Sequence, residues 1–128
     1  MKVLNCYGPY NGRNNFWSDF CEEAMFKDPT LILGGDLKLI LNAREIWEKN
    51  VRHDLLASYF SHLFDVAKLV DIIPKACVPT WRNGRSWDYK MTKRLDRFLL
   101  AEDLIEKLCR FRSWIEVVSI LDDLPICL

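Results

Sequence analysis

The segment TLILGGD at residues 30–36 constrains the fold of this chain more than any other. A short apolar run that ends in glycine predicts a buried β-strand. Gly34 and Gly35 give the strand a tight exit and present Asp36 at its carboxyl end. Open α/β sheets place polar site residues at such strand ends, so Asp36 is a candidate site residue. The alternative is that Asp36 only caps the turn after its strand.

The rest of the chain alternates between strand and helix patterns, in the order β-α-β-α-β-β-α-β-β. This order predicts an α/β fold with at least one mixed sheet, in a single domain that spans residues 1–128. Further strands are expected at 2–7, 94–100, 113–120 and 124–128, with a hairpin around Asn83-Gly84. Apolar periodicity predicts three helices. The first is capped by Asn14 or Asn15 and buries Phe16, Trp17, Phe20, Cys21, Ala24 and Met25. The second follows Asp54 and buries Leu55, Leu56, Tyr59, Phe60, Leu63, Phe64 and Ala67, and the third is short and contains Ala101, Leu104, Ile105 and Leu108.

Composition narrows the class of protein. Half of the 128 residues are hydrophobic, and no apolar run approaches the ~20 residues of a membrane helix. The N-terminal MKVLNCYGP lacks the apolar region of a signal peptide. The five cysteines form no C-x-x-C pair, which favours core thiols in a reducing compartment. We therefore expect an intracellular protein, nuclear or cytoplasmic, that is neither secreted nor bound to a membrane.

Charge is unevenly distributed, although the net charge is zero. Residues 82–112 contain nine Lys or Arg against five acids, and residues 113–128 contain three acids and no base. A locally basic stretch is typical of proteins that bind phosphate groups. A solvated surface is the alternative explanation.

Four segments in order resemble the later half of the endonuclease/exonuclease/phosphatase (DNase I-like) superfamily. They are NCYGPY at 5–10, LILGGDLKL at 31–39, KRLDRFLL at 93–100 and LDDLPICL at 121–128. LNAREIW at 41–47 and PTWRNGRS at 79–86 look like the versions in LINE-type retrotransposons, upstream of a reverse transcriptase. The resemblance implies a partial DNase I-like α/β sandwich, truncated at the N-terminus. Its sheet would be mixed and largely antiparallel, with flanking helices.

The resemblance also implies Mg²⁺-assisted attack of water on a phosphodiester of DNA. Tyr7 matches the tyrosine of an N-x-Y-x-P motif near the phosphate, and Asp36 matches the aspartate that positions the water. Asp96 matches an aspartate that orients a histidine, and Asp122 matches an acidic residue that is also a weak metal ligand. We expect Asp36, Asp96 and Asp122 to share one cleft.

Three departures from the family pattern, and a lesser loss at Leu121, count against activity. Lys38 stands where the G-D-x-N motif has asparagine, and an ammonium attracts phosphate but repels Mg²⁺. Asp123 replaces the histidine of S-D-H, so Asp96 would face a second carboxylate. Leu121 replaces the serine of that motif. The first half of the family domain, with its metal-binding glutamate, has no counterpart in the sequence.

Each remaining candidate has a second interpretation. Trp81 and Arg82 are candidates for contact with nucleic acid, although a tryptophan in a hairpin is often a packing residue. Tyr7 could be a core aromatic residue. Asp96 could form a surface salt bridge with Arg94 or Arg97. His53 and His62 are expected to be ordinary surface histidines.

Three functions follow: an active Mg²⁺-dependent nuclease, an inactive domain that binds nucleic acid, and a decayed reading frame. The departures favour a truncated, inactive remnant of a retrotransposon-encoded endonuclease. A non-catalytic module that binds nucleic acid weakly is the alternative. Because half of the family fold has no counterpart, an apolar sheet face should be exposed and available for self-association.

Overall fold

The computed structural model describes residues 1–85, 90–108, 110–116 and 126–128. The strands in these residues are β1 (Lys2–Asn5), β2 (Leu31–Asp36), β3 (Ile46–Trp47), β4 (Leu69–Asp71), β5 (Trp81–Arg82), β6 (Thr92–Lys93), β7 (Asp96–Ala101), β8 (Trp114–Ile115) and β9 (Ile126–Cys127). The α-helices are α1 (Arg13–Glu22), α2 (Ala57–Val66) and α3 (Glu102–Lys107), and 3₁₀ helices occur at Ala24–Lys27 and Ala43–Glu45.

A four-stranded mixed sheet in the order β1-β2-β7-β4 forms the centre of the molecule. β1 and β2 are parallel, whereas β7 runs antiparallel to both β2 and β4. A smaller antiparallel sheet has the order β3-β6-β5, and β8 pairs with β9. The expected α/β class with a mixed, largely antiparallel sheet is therefore confirmed.

One face of the main sheet carries the apolar core. Leu33 and Leu99 are direct cross-strand partners and are fully buried. Trp17 of α1 and Phe60 and Phe64 of α2 belong to the same buried cluster. Side chains alternate between the two faces of a strand, so the two helices cover this face of the sheet.

The opposite face of the sheet is partly open. The cross-strand row Val3–Ile32–Leu100–Val70 crosses all four strands. Val3 and Val70, on the two edge strands, are 62% and 41% exposed, but Leu100 in the middle is fully buried. Ile32 on β2 is partly exposed as well, so the apolar surface on this row is largest at the sheet edges and extends to β2. Self-association through it stays a prediction that size-exclusion chromatography tests.

The first predicted helix begins and ends elsewhere than expected. Gly12, not Asn14 or Asn15, is the N-cap, and its carbonyl accepts from the amide of Phe16. Gly12 has a left-handed backbone (φ 64°), which glycine adopts easily, so the helix begins before the two asparagines. The helix ends at Glu22, which leaves Ala24 and Met25 outside its apolar face and exposed.

Three further predictions need correction. Leu55 is 96% exposed, because α2 begins only at Ala57 and the Asp54 carboxylate accepts from Leu56 in the turn before it. Cys77 is exposed, so it is not a core thiol. β5 pairs with β6 across a long loop rather than through a tight turn at Asn83-Gly84. The Asn83 side chain instead accepts from the amides of Arg85 and Met91. Among the described residues, no helix has the length and apolarity needed to cross a membrane.

Candidate nucleic-acid site at the strand ends

Two carboxylates lie side by side at one end of the main sheet. Asp36 is the last residue of β2, Asp96 is the first of β7, and the two are cross-strand partners. The carbonyl of Asp36 accepts from the amide of Gly8, and the amide of Asp96 donates to the Thr80 hydroxyl. These two backbone groups therefore do not bond each other, and Asp36 and Asp96 form a non-hydrogen-bonded antiparallel pair. In such a pair the Cα atoms are about 4.5 Å apart and both side chains leave the same face. The structure thus brings Asp36 and Asp96 together, while Asp122 and Asp123 lie outside the described residues.

Lys38 lies beside Asp36 with its ammonium shielded from solvent. The residue is only 4% exposed, and its Nζ forms an ion pair with the Asp36 carboxylate. The same Nζ lies 4.6 Å from the ring centroids of both Tyr7 and Tyr10. Burial lowers the pKa of Lys38, but its contacts with Asp36, Tyr10 and Tyr7 outweigh burial and raise the pKa overall. We call Asp36, Lys38, Tyr7 and Tyr10 the Lys38 cluster.

A close approach of two backbone segments places the tyrosines over Lys38. The amide of Gly8 donates to the carbonyl of Asp36 at 2.7 Å. A Cβ on Gly8 would lie 2.1 Å from the carbonyl oxygen of Leu37, a distance that no side chain tolerates. Glycine at position 8 therefore lets the chain after β1 lie directly on the chain after β2.

The backbone at Lys38 is left-handed (φ 55°), a conformation in which lysine is uncommon and asparagine is enriched. Two hydrogen bonds hold it there. The Lys38 amide donates to the Asp36 carboxylate at 3.3 Å, and Arg13 Nη1 donates to the Lys38 carbonyl at 3.2 Å. Arg13 is itself fixed by a bidentate bond to Asp54 at 2.6 and 3.0 Å.

A buried group of four charged side chains holds the start of β7. Arg94 and Arg97 are both fully buried and bind the same two acids, Glu45 and Asp71. Arg94 Nη1 is 2.8 Å from Glu45 and 2.7 Å from Asp71, and Arg97 is 3.0 and 2.9 Å from them. We call these residues the Arg–acid tetrad. The alternative for Asp96, a surface salt bridge with Arg94 or Arg97, is not formed, because both arginines are buried against Glu45 and Asp71.

Thr80 fixes the backbone of Asp96 from the other side. Its hydroxyl oxygen accepts from the amides of Leu95 at 3.0 Å and Asp96 at 3.1 Å. Thr80 is fully buried, so these two amides would have no solvent to bond without it. The direction in which Asp96 leaves β7 is therefore set by Thr80 together with the Arg–acid tetrad.

A groove of about 340 Å³ opens beside the Lys38 cluster. Trp81, which is partly buried, also packs against Ile40 and Leu95 of a small second apolar cluster. The groove combines aromatic rings, cations and one carboxylate. Its lining residues are Tyr10, Arg13, Lys38, Ile40, Asp54, Trp81, Met91, Lys93 and Leu95. A larger groove of about 800 Å³ lies between α1, α2 and the start of α3, away from Asp36.

The other candidate residues divide between exposed and buried positions. Tyr7 is 71% exposed, so its interpretation as a core aromatic residue is wrong. Trp81 lines the groove, whereas Arg82 is exposed and is not among the lining residues. His53 and His62 are exposed, as expected. Residues 82–112 contain nine Lys or Arg, and two of them, Arg94 and Arg97, are buried in ion pairs. Any phosphate-binding surface in this stretch must therefore be formed by the other seven.

Sequence reasoning missed several residues of the site. Tyr10 follows the N-x-Y-x-P motif by one residue, and Thr80 precedes Trp81, but no pattern assigned them a partner. Glu45 lies in the segment LNAREIW, whose resemblance to the LINE-type versions assigns no role to the glutamate. The two arginines in the largely apolar segment 94–100 were the available signal for buried acids elsewhere, because a buried guanidinium requires an acidic partner.

The described residues do not fit the Mg²⁺ that the resemblance implies. Mg²⁺ prefers oxygen ligands in an octahedral arrangement, with carboxylates offered to the metal. Here the Asp36 carboxylate is paired with the Lys38 ammonium. No group of three or more His, Cys, Asp or Glu in the described part of the chain is arranged to hold a metal ion.

Comparison with known proteins identifies the fold. No protein-family model matches the chain, and no curated protein matches it. A solved structure is similar: the endonuclease domain of TRAS1, a telomere-specific non-LTR retrotransposon. The identity is 18%, the TM-score is 0.66, and the match covers 94% of this chain and 52% of that one. The chain therefore has a DNase I-like α/β fold over about half the length of that domain, and the resemblance to LINE-type endonucleases is confirmed at the level of the fold.

Proposed function

We propose that this chain is an inactive endonuclease-type domain, derived from a non-LTR retrotransposon, that binds nucleic acid weakly and does not cleave it. The observation that carries the proposal is the groove beside the paired strand-end carboxylates. It combines the rings of Tyr10 and Trp81 with the cations Arg13 and Lys93. The structural likeness to a retrotransposon endonuclease supports the same class of ligand.

The chemistry of the groove suits a single strand better than a duplex. An unpaired base can stack on an indole or phenol ring, and a cation nearby attracts the phosphate that follows it. Arg13 is occupied by Asp54, so Lys93 is the lining cation most available to a phosphate. The groove therefore offers little unpaired positive charge to a phosphate, so binding should be weak and sensitive to salt.

The proposed lack of cleavage rests on Asp36. A carboxylate that positions an attacking water must bind that water in preference to its other partners, and an ammonium paired with it competes with the water. In this structure one Asp36 oxygen bonds the Lys38 ammonium and the other accepts from the Lys38 amide. In addition, Asp123 stands where the family pattern has histidine, so the Asp–His pair of the family is replaced by two carboxylates, which repel the phosphate of a substrate.

Fluorescence anisotropy with a labelled single-stranded oligonucleotide tests binding. Trp81→Ala should weaken it about 5- to 150-fold, because base–aromatic stacking contributes roughly 1–3 kcal/mol per base. Trp114→Ala is the matched control, since Trp114 is also partly exposed but is not a lining residue of the groove. Equal losses in the two variants would contradict the groove as the binding site. Lys93→Gln should lower the affinity and flatten the dependence on salt.

A plasmid-nicking assay with Mg²⁺ tests the second half of the proposal. Neither the unmodified chain nor Asp36→Ala should nick supercoiled DNA. Nicking by the unmodified chain that disappears in Asp36→Ala would show an active nuclease. That result would leave the groove as a binding site but overturn the assignment of inactivity.

A further inference from the structure

The Lys38 cluster has a feature that separates it from a surface ion pair. The ammonium is almost completely buried, although the two rings above it are 71% and 65% exposed. The rings of Tyr7 and Tyr10 therefore form a cover, and their faces attract the cation beneath them. Asp36 closes the remaining side.

The position of this cation matters because of the carboxylate pair beside it. Asp36 and Asp96 are direct cross-strand partners, and like charges in such positions destabilise a sheet. A positive charge close to the pair reduces that repulsion. In many phosphodiester-cleaving sites a divalent ion supplies the charge, whereas here a side chain of the protein supplies it.

We propose that Lys38 is a built-in cation that takes the place of a divalent metal ion at the ends of β2 and β7. The ammonium fills the space next to Asp36, neutralises part of the charge of the two carboxylates, and so prevents a metal from binding there. This inference rests on the geometry of the Lys38 cluster and does not depend on nucleic-acid binding.

The backbone offers a favourable test variant. Lys38 has a left-handed backbone, and asparagine tolerates that conformation better than lysine. Lys38→Asn therefore removes the charge without adding backbone strain. It also supplies an amide oxygen, which is a metal ligand, next to the carboxylate of Asp36.

Thermal unfolding with and without Mn²⁺, at constant ionic strength, gives the first readout. The Tm of the unmodified chain should not change with Mn²⁺. Lys38→Asn should unfold several degrees lower without metal, and Mn²⁺ should restore part of the loss, because a ligand that binds only the folded state stabilises it. The double variant Asp36→Asn with Lys38→Asn should not respond to Mn²⁺.

Terbium luminescence gives a second readout that does not depend on stability. A Tb³⁺ ion in the position of the ammonium would be close enough to Tyr7 and Tyr10 for their excitation to sensitise its emission. Lys38→Asn should show this emission, and the unmodified chain and Lys38→Arg should not. Emission from the unmodified chain that is lost in Asp36→Asn would overturn the proposal, as would a folded Lys38→Asn that binds neither ion.

If Lys38→Asn does not fold, the unmodified chain still decides the question. The proposal requires that it bind no Mn²⁺ or Tb³⁺ through Asp36. A metal-dependent rise in its Tm, absent from Asp36→Asn, would show that the ammonium does not exclude a metal. Failure of nucleic-acid binding would leave these results unchanged, so the metal proposal and the nucleic-acid-binding proposal fail separately.

Discussion

The Arg–acid tetrad and the Lys38 cluster contain similar groups but use them differently. In the tetrad, two arginines each contact both acids, and neither arginine has any exposed surface. In the Lys38 cluster, one cation forms an ion pair with one carboxylate beneath two tyrosine rings that are largely exposed. Both groups flank the ends of β2 and β7, yet only the Lys38 cluster borders the groove.

The difference indicates a division of roles. The tetrad connects the 3₁₀ helix at Ala43–Glu45, the end of β4 and the start of β7, so its charges hold separate parts of the chain in place. The Lys38 cluster lies on the rim, where a small change alters the charge offered to a ligand. Substitutions in the tetrad should therefore lower stability more than those in the Lys38 cluster, and only the latter should also alter the site.

The largest effect is expected for Arg97→Met. This change leaves the buried Glu45 and the partly buried Asp71 with Arg94 as their one remaining arginine partner, and removal of one member of a buried ion pair costs about 3–5 kcal/mol. Urea denaturation measures the loss in the free energy of unfolding. A loss no larger than that of an exposed arginine such as Arg82→Met would show that the tetrad does not hold the fold.

Thr80→Val should have the next largest effect. Valine keeps the shape of threonine but leaves the amides of Leu95 and Asp96 without their acceptor, at a cost of about 1–3 kcal/mol for each buried donor. Thr80→Ser keeps the hydroxyl and should lose much less. Similar denaturation midpoints for the two variants would contradict the role of the hydroxyl.

The Arg13–Asp54 ion pair beside Lys38 should make the free energy of unfolding depend on pH. Burial alone would raise the pKa of Asp54, but the bonds from Arg13 and Leu56 lower it overall. A carboxyl whose pKa is lowered in the folded state stabilises the fold when the pH is above the pKa of the unfolded chain, about 3.9. That contribution disappears as the pH falls through the pKa of the folded state. The contribution should be on the order of 1 kcal/mol, since the pair is partly exposed.

Denaturation at several pH values between about 5 and 2 measures this contribution. Asp54→Asn should be less stable than the unmodified chain at neutral pH, and the gap should close on acidification. A gap that stays constant over this range would mean that ionisation of Asp54 contributes nothing to stability.

Tyr7→Leu should have the smallest effect on stability. Leucine covers Lys38 but loses the attraction between ring and cation, which is worth about 0.5–1 kcal/mol at a partly exposed site. In the variant Lys38→Met the same change should cost less, because no cation remains. A double-mutant cycle by urea denaturation measures the interaction free energy between the Tyr7 ring and the Lys38 cation. A value of zero would contradict a stabilising contact between them.

The local patterns of the sequence determined most of the secondary structure. The strand at Leu31–Asp36, the helices that bury Trp17, Phe60 and Phe64, and the strand at Asp96–Ala101 follow from apolar runs and periodicity. The order of four motifs also predicted the DNase I-like fold. Element ends were less predictable, because Gly12 begins α1 through its backbone conformation rather than through a side chain.

The tertiary structure alone decided how the charges are paired. Arg94 and Arg97 flank Asp96 in the sequence, which allows a local pairing, but their partners Glu45 and Asp71 lie far away along the chain. Likewise, the sequence shows Lys38 as a departure from the family motif, whereas the cover that Tyr7 and Tyr10 form over it depends on the close contact at Gly8. A sequence pattern reports what each segment prefers by itself. Which charges become buried together depends on how the segments pack, because desolvation makes each buried charge require a partner from whichever element lies beside it.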